Sequence, residues 1–136
     1  MAETKLADTP DGRRIEVAAA VDAPPAAAWD LLIDTHRWPE WGPSVRAVEC
    51  EDRWIRFGST GRVVLPGGVR VPFAVDGFDP EVRRWTWRVA RIPATGHRVD
   101  DLGSGCRVVF ELPVLAAGYA PVCHLALRRI RNLLEG

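Results

Sequence analysis

VDAPPAAAWDLLIDTHRWPEWGPSV, residues Val21 to Val45, is the stretch whose reading decides the fold. It opens as the end of a strand. Asp22 is a good helix N-cap, because its carboxylate can accept from a first-turn N–H. Pro24 and Pro25 suit a first helical turn, where a missing N–H costs nothing. Ala28, Trp29, Leu32 and Ile33 then share one face and predict the buried stripe of a short helix. A second helical turn runs roughly from Thr35 to Trp41, carries Trp38 and Trp41 around Pro39, and is ended by Gly42-Pro43.

Upstream, Ile15, Val17, Ala19 and Val21 alternate and predict a strand with one apolar face. Residues 1–12 are polar, end in Asp11-Gly12 and are expected to be flexible, which leaves residues 13–136 as a single domain. Downstream, turn signals fall at Glu51-Asp52, Pro66-Gly67-Gly68, Asp79-Pro80-Glu81, Thr95-Gly96 and Gly103-Ser104-Gly105. Between them lie the alternating runs Gly61/Val63/Leu65, Val69/Val71/Phe73/Val75, Trp85/Trp87/Val89 and Val108/Phe110/Leu112. The opposite parity carries Arg62, Arg70, Asp76, Arg84 and Arg88, and Val109 and Glu111 are expected to face outward too. Period two with one polar face predicts an antiparallel sheet packed on one side. Finally Tyr119, Val122, Cys123, Ala126, Leu127, Ile130, Leu133 and Leu134 follow helical spacing and predict one long amphipathic helix. Its Pro121 is tolerable if regular helix begins near Gly118 and kinks the helix otherwise.

The expected fold is α+β in the order β-α-α-β6-α: a curved, seven-stranded antiparallel sheet wrapped around a long C-terminal helix. The helix must bury its stripe, and the concave sheet face is the only large partner. A strongly curved sheet cannot meet a straight helix along its whole length, so an internal cavity is expected.

The string A-P-x-x-x-x-W-x-L-L-x-D-x-x-x-W-P-x-W, from Ala23 to Trp41, together with this element order resembles the SRPBCC superfamily. These are the START-like and birch-pollen-allergen-like helix-grip proteins, among them the polyketide cyclase/dehydrase and lipid transport family. The resemblance covers about residues 13 to 135. It implies the helix-grip fold and a protein that works by enclosing an apolar cavity.

Parity turns Phe73, Trp85, Trp87, Val89 and Phe110 toward that cavity, with Trp29 and Trp38 closing one end. Each of these alone is equally ordinary core; the set reads as an aromatic wall for a flat apolar ligand. A two-residue or four-residue turn around Ser104 pairs Val99 with Val108 or Phe110, and either choice turns His97, Val99 and Asp101 inward. A loop of odd length turns them to solvent. His97 inside an apolar cavity would fix a ligand's polar end or serve as acid and base near neutral pH. His97 and Asp101 stand roughly 13 Å apart along a strand, too far for a direct dyad. Tyr119 and Cys123 lie on the buried stripe of the last helix and complete the candidate ligand-binding set. Cys123 and His124 are adjacent on a helix and point about 100° apart, so they are not a nucleophile–base pair. Leu65-Pro66-Gly67-Gly68, followed two hairpins later by His97-Arg98-Val99, is similar to the gate and latch loops of the plant abscisic-acid receptors. That similarity implies a mobile lid at Leu65, Pro66, Gly67 and Gly68. It does not imply the hormone, because those receptors hold its carboxylate with a pocket lysine and Lys5 is the single lysine of this chain.

The chain has 136 residues, a hydrophobic share of 47% and a formal net charge of zero. No basic excess argues for nucleic acid or an anionic membrane surface. Cys50, Cys106 and Cys123 have neither disulfide nor zinc spacing. The start is polar and no run is long enough to span a membrane, so a cytoplasmic protein is expected, as monomer or homodimer, without cofactor or metal. Three functions are weighed. The first is binding or transport of a small hydrophobic molecule: a lipid, a polyketide or an aromatic compound. The alternative is a polyketide aromatase/cyclase acting in the same cavity, for which His97, Asp101 and Tyr119 are the available polar set; no catalytic residue is assigned. The third is a protein-interaction role, as in the quinone-chaperone and ribosome-interfering branches that the resemblance brings in.

Overall fold

The computed structural model describes residues 2–136. In chain order they form β1 (Glu3–Thr9), β2 (Gly12–Val21), α1 (Pro25–Ile33), α2 (Trp38–Trp41), β3 (Ala47–Cys50), β4 (Thr60–Val64), β5 (Arg70–Asp79), β6 (Arg84–Val89), β7 (Ile92–Asp101) and β8 (Cys106–Pro113). A short 3-10 helix, Val114–Tyr119, then leads into α3, Ala120–Glu135. The strands make one open antiparallel sheet in the order β1-β2-β8-β7-β6-β5-β4-β3. α3 lies against β2 and β8 and buries Cys123, Ala126, Leu127 and Ile130. This is the helix-grip arrangement.

The sheet has eight strands, not seven. The extra strand is the segment expected to be loose. Glu3–Thr9 pairs with β2 from Glu3↔Ala18 to Thr9↔Gly12. It escapes a pattern reading because it buries no apolar face: Leu6 is 54% exposed. Backbone hydrogen bonding to β2 holds it, helped by a 3.0 Å contact between Thr4 Oγ1 and His124 Nε2 of α3.

Two local expectations change. Pro24, not Asp22, is the N-cap of α1, and Pro25 occupies its first turn. Asp22 instead donates its backbone N–H to Glu135 Oε2 at 2.8 Å, tying the end of β2 to the end of α3. Regular helix in α3 starts at Ala120, so Pro121 sits in the first turn and needs no kink. At the other end of the stripe Leu133 is 37% exposed.

The turn expected at Thr95-Gly96 does not exist. The hairpin between β6 and β7 turns at Ala90-Arg91, with φ of 52° and 67°. Positive φ at both central residues is the geometry of a type I′ turn, built here without the usual Gly or Asn signal. β7 therefore runs on through Thr95, Gly96 and His97 as one strand, with its pairing to β6 shifted by a bulge opposite Trp87. Gly96 is glycine for a packing reason: a Cβ there would stand 2.8 Å from Glu111 Oε1.

Glu111 does belong to the outer face, yet it is fully buried. Arg84 reaches it at 2.7 Å and Arg98 at 2.8 Å. Arg98 continues to Glu16 at 3.0 Å and Asp100 at 2.8 Å, and Arg84 to Asp11 at 2.7 Å. The outer face of β6, β7 and β8 thus carries a closed arginine–carboxylate network.

Candidate functional site: an aromatic cavity under the C-terminal helix

Between α3, α2 and the inner face of β4, β6, β7 and β8 lies a cavity of about 470 Å³. Its position follows from the opening stretch of sequence. The chain leaves α1, turns, and presents Trp38 and Trp41 from α2. The indole N–H of Trp38 donates to Leu32 O at 2.8 Å, and that of Trp41 to Leu31 O at 3.2 Å. These carbonyls, at the end of α1, lack helical partners and are satisfied by the indoles. Both rings are thereby fixed with their apolar bodies toward the sheet.

The deep wall is a stack. Trp38 and Trp85 are parallel, 5.4 Å between centroids and 2° apart in plane. His97 lies on the other side of the hairpin pair and stacks on Trp85 at 3.9 Å and 14°. Trp87 meets Trp38, Trp85 and His97 edge-on. Trp41 tilts against Phe110 at 5.7 Å. Edge and offset contacts of this kind favour a rigid wall.

His97 is inward because the register is His97↔Phe110 and Val99↔Val108, and Asp101 pairs with Cys106 at the hairpin end. The imidazole is 3% exposed. Its Nε2 lies 3.2 Å from Thr95 Oγ1, which also accepts the Trp87 indole N–H at 3.1 Å. Thr95 therefore ties the indole of Trp87 and the imidazole of His97 together through one hydroxyl. Nδ1 and Trp85 Nε1 make no hydrogen bond of ordinary geometry. Burial pushes the His97 pKa down to about 3; the Trp85 backbone opposes this weakly and the Arg84 charge adds to it. Burial also lifts the Cys123 thiol to about 12 and raises the Tyr119 phenol. No side chain that forms the wall changes charge near neutrality.

At the mouth, Tyr119 Oη and Ser44 Oγ are 2.7 Å apart, so one hydrogen bond joins the α2–β3 loop to the start of α3. Ile92, Pro93, Ala116 and Leu65 complete the opening.

Of the residues expected to touch a ligand, Trp38, Trp85, Trp87, His97, Phe110, Tyr119 and Cys123 line the cavity. Trp29, Phe73 and Val99 do not. Trp29 packs on Phe78 at 5.5 Å, and Phe73 fills in behind Trp38 and Trp87. Val99 is 2% exposed, in the hydrophobic core one inward position beyond His97. Parity alone assigns a face, not whether a neighbour already covers it. Of the expected lid, Leu65 lines the mouth, while Pro66, Gly67 and Gly68 lie outside the wall in a turn held by Gly68 N–H to Leu65 O at 2.9 Å. His97 sits inside β7, so no latch loop faces that turn. Asp101 is exposed and accepts the Gly103 N–H at 2.8 Å, so the set His97, Asp101 and Tyr119 is not assembled. Trp41, Ser44 and Thr95 line the wall without having been singled out. Trp41 was legible, three residues after Trp38 on one helical turn; Thr95 was hidden by its place in an apparent turn.

A family model described as polyketide cyclase / dehydrase and lipid transport matches residues 13–135. The chain belongs to this family. No curated protein matches it in sequence. Among solved structures, the family fold is shared with the Zhui aromatase/cyclase from Streptomyces sp. R1128, 15% identical, with a TM-score of 0.66 over 90% of this chain and 93% of that one. Protein MLL2253 from Mesorhizobium loti is 15% identical, with a TM-score of 0.73 over 90% and 97% of the two chains. The di-domain ARO/CYC protein BexL is 16% identical, with a TM-score of 0.69 over 90% of this chain and 46% of its own length. Among the described residues no helix is long and apolar enough to cross a membrane, and no group of three or more His, Cys, Asp or Glu is placed to hold a metal ion.

Proposed function

We propose that the protein binds and carries one small, neutral, flat hydrophobic molecule. The observation that carries this reading is a cavity of about 470 Å³ walled by aromatic rings, without a charged side chain in its lining. At the packing density of protein interiors such a volume holds roughly twenty non-hydrogen atoms. That suits a ring system of a few fused rings or a single acyl chain, and is too small for a two-chain phospholipid. The aromatic share of the wall favours the ring system, because flat rings pack well against the edges of other rings.

The second reading, an aromatase/cyclase, is favoured by the hydroxyls of Ser44 and Tyr119 at the mouth and by the two solved structures that carry that name. It is weakened by His97, whose imidazole stays neutral and is already bonded to Thr95. A general base poised near neutral pH is missing from the wall.

Native mass spectrometry of the purified protein, with organic extraction of the same sample, tests the carrier reading. An adduct of a few hundred daltons that is lost on denaturation is the expected result. A clean apo mass, with no thermal shift across a library of neutral aromatic and lipid compounds, overturns it. Turnover of a poly-β-keto thioester into a cyclised product would promote the second reading.

A further inference from the structure

The mouth of the cavity differs from the dry, uncharged wall beneath it in two ways. It is ringed by large apolar side chains held out into solvent. Leu115 is 102% exposed, Ile92 65%, Val69 60% and Val114 48%. They come from three separate elements: the β4–β5 turn, the β6–β7 turn and the 3-10 helix. Register puts both hairpin tips at one end of the sheet, since the Ala90 N–H donates to Pro72 O, and β8 ends at the same side where the 3-10 helix begins.

The second difference is charge. The segments that build the rim, residues 43–48, 63–72, 86–95 and 112–122, contain Arg46, Arg70, Arg88 and Arg91 and no aspartate or glutamate. Arg70 is bonded to Glu49 and Arg88 to Asp76. Arg46 and Arg91 are exposed and, among the described residues, meet no carboxylate within ion-pair distance. In a chain of zero net charge the rim segments therefore carry two arginines that no carboxylate neutralises.

We propose that this rim docks the protein on an anionic membrane surface, with Leu115, Val114 and Val69 entering the headgroup layer and Arg46 and Arg91 meeting lipid phosphates. Apolar residues that protrude from a surface, flanked by arginines, are the arrangement that partitions into a lipid interface. A fluid surface moulds itself to three separate tips. A folded partner would need a groove or a free strand edge, and the edges of this sheet, β1 and β3, do not supply these tips. Docked this way, the cavity opens against lipid, and an apolar ligand passes without crossing water. That purpose rests on the carrier reading; the docking itself does not.

Flotation of the full chain with vesicles tests the proposal. Phosphatidylcholine vesicles are compared with vesicles containing about one-third phosphatidylglycerol, and about tenfold stronger binding to the anionic set is expected. Leu115→Asp combined with Val69→Asp, neither of which lines the cavity, should lower binding by about tenfold or more. Arg46→Glu with Arg91→Glu should erase the preference for anionic vesicles. Uptake of the neutral fluorophore N-phenyl-1-naphthylamine, read in the same variants, reports folding and the cavity separately. Wild-type protein that ignores both vesicle types, or an L115D/V69D variant that floats like wild type, overturns the docking. Wild-type protein that floats but takes up no fluorophore leaves the docking standing and removes the carrier reading.

Discussion

The two faces of β6, β7 and β8 are made of alternate residues on the same strands, and they solve burial in opposite ways. Inside, Trp85, Trp87, His97 and Phe110 pack ring on ring, and the one titratable ring is held neutral. Outside, Glu111 is fully buried and Arg84 and Arg98 are half-buried, because each finds an opposite charge. A charge taken from water is tolerated only when paired and hydrogen-bonded, and the outer face supplies enough partners to do so. The inner face has none to spare, so charge is kept out of it. The outer network is thus a stability device, and the inner wall is free to select by shape and polarity. Gly96 sits between them: its missing side chain lets Glu111 lie flat on the sheet, while its neighbours Thr95 and His97 build the wall.

The comparison is broken most severely from the outside. Glu111→Gln keeps the shape but leaves Arg84 and Arg98 without their shared carboxylate. Urea denaturation should show a loss of about 3 kcal/mol, the cost of breaking a buried ion pair. The folded remainder should still take up a neutral aromatic probe. A loss of probe binding with stability intact would mean that the two faces are not separate devices.

The inner face is sharpened by pH. His97 is protonated near pH 6.5 in the unfolded chain but only near 3 in the folded protein. Between these values the unfolded state binds the extra proton, so His97 contributes fully above about pH 6.5 and its contribution is lost as the pH falls. The slope is about 1.4 kcal/mol per pH unit for one group, or about 2–3 kcal/mol between pH 6.5 and 4.5, above most carboxylate titrations. Chemical denaturation at stepped pH should show this fall, and His97→Gln should flatten it. A wild-type curve as flat as the variant's would mean that the imidazole is solvated.

The smallest effect is an expected constancy. With His97 titrating near 3 and Cys123 near 12, the affinity for a neutral probe should change by less than about twofold from pH 5 to 8. Fluorescence titration checks this; a bell-shaped profile would point to an ionised group in the wall and revive the acid–base reading.

Much of this was legible because burial imposes periodicity. Alternation in β2 and β8, the helical stripe of α3 and the Trp-rich turn after α1 all have to face one core, and so leave a pattern of period two or 3.6 in the chain. β1 left no such mark, because it is held by backbone bonds on a solvated edge. The Ala90-Arg91 turn left none either, because positive φ was forced on ordinary residues by the strands they join. Face assignment found most of the wall, yet missed that Phe73 and Val99 are covered by neighbours and that Thr95 is the hydroxyl which holds His97.

By itself, then, the order of residues determined the α+β architecture, the inward set of aromatic residues and the family. It could do so because each depends on which side chains avoid water, a property each residue carries along the chain. Only the tertiary structure decided which of those rings face empty space, that Glu111 is buried between two arginines, and that two unpaired arginines from distant segments flank one opening in a neutral chain. These depend on which segments become neighbours, and that is a matter of register and curvature to which no single stretch of sequence has access.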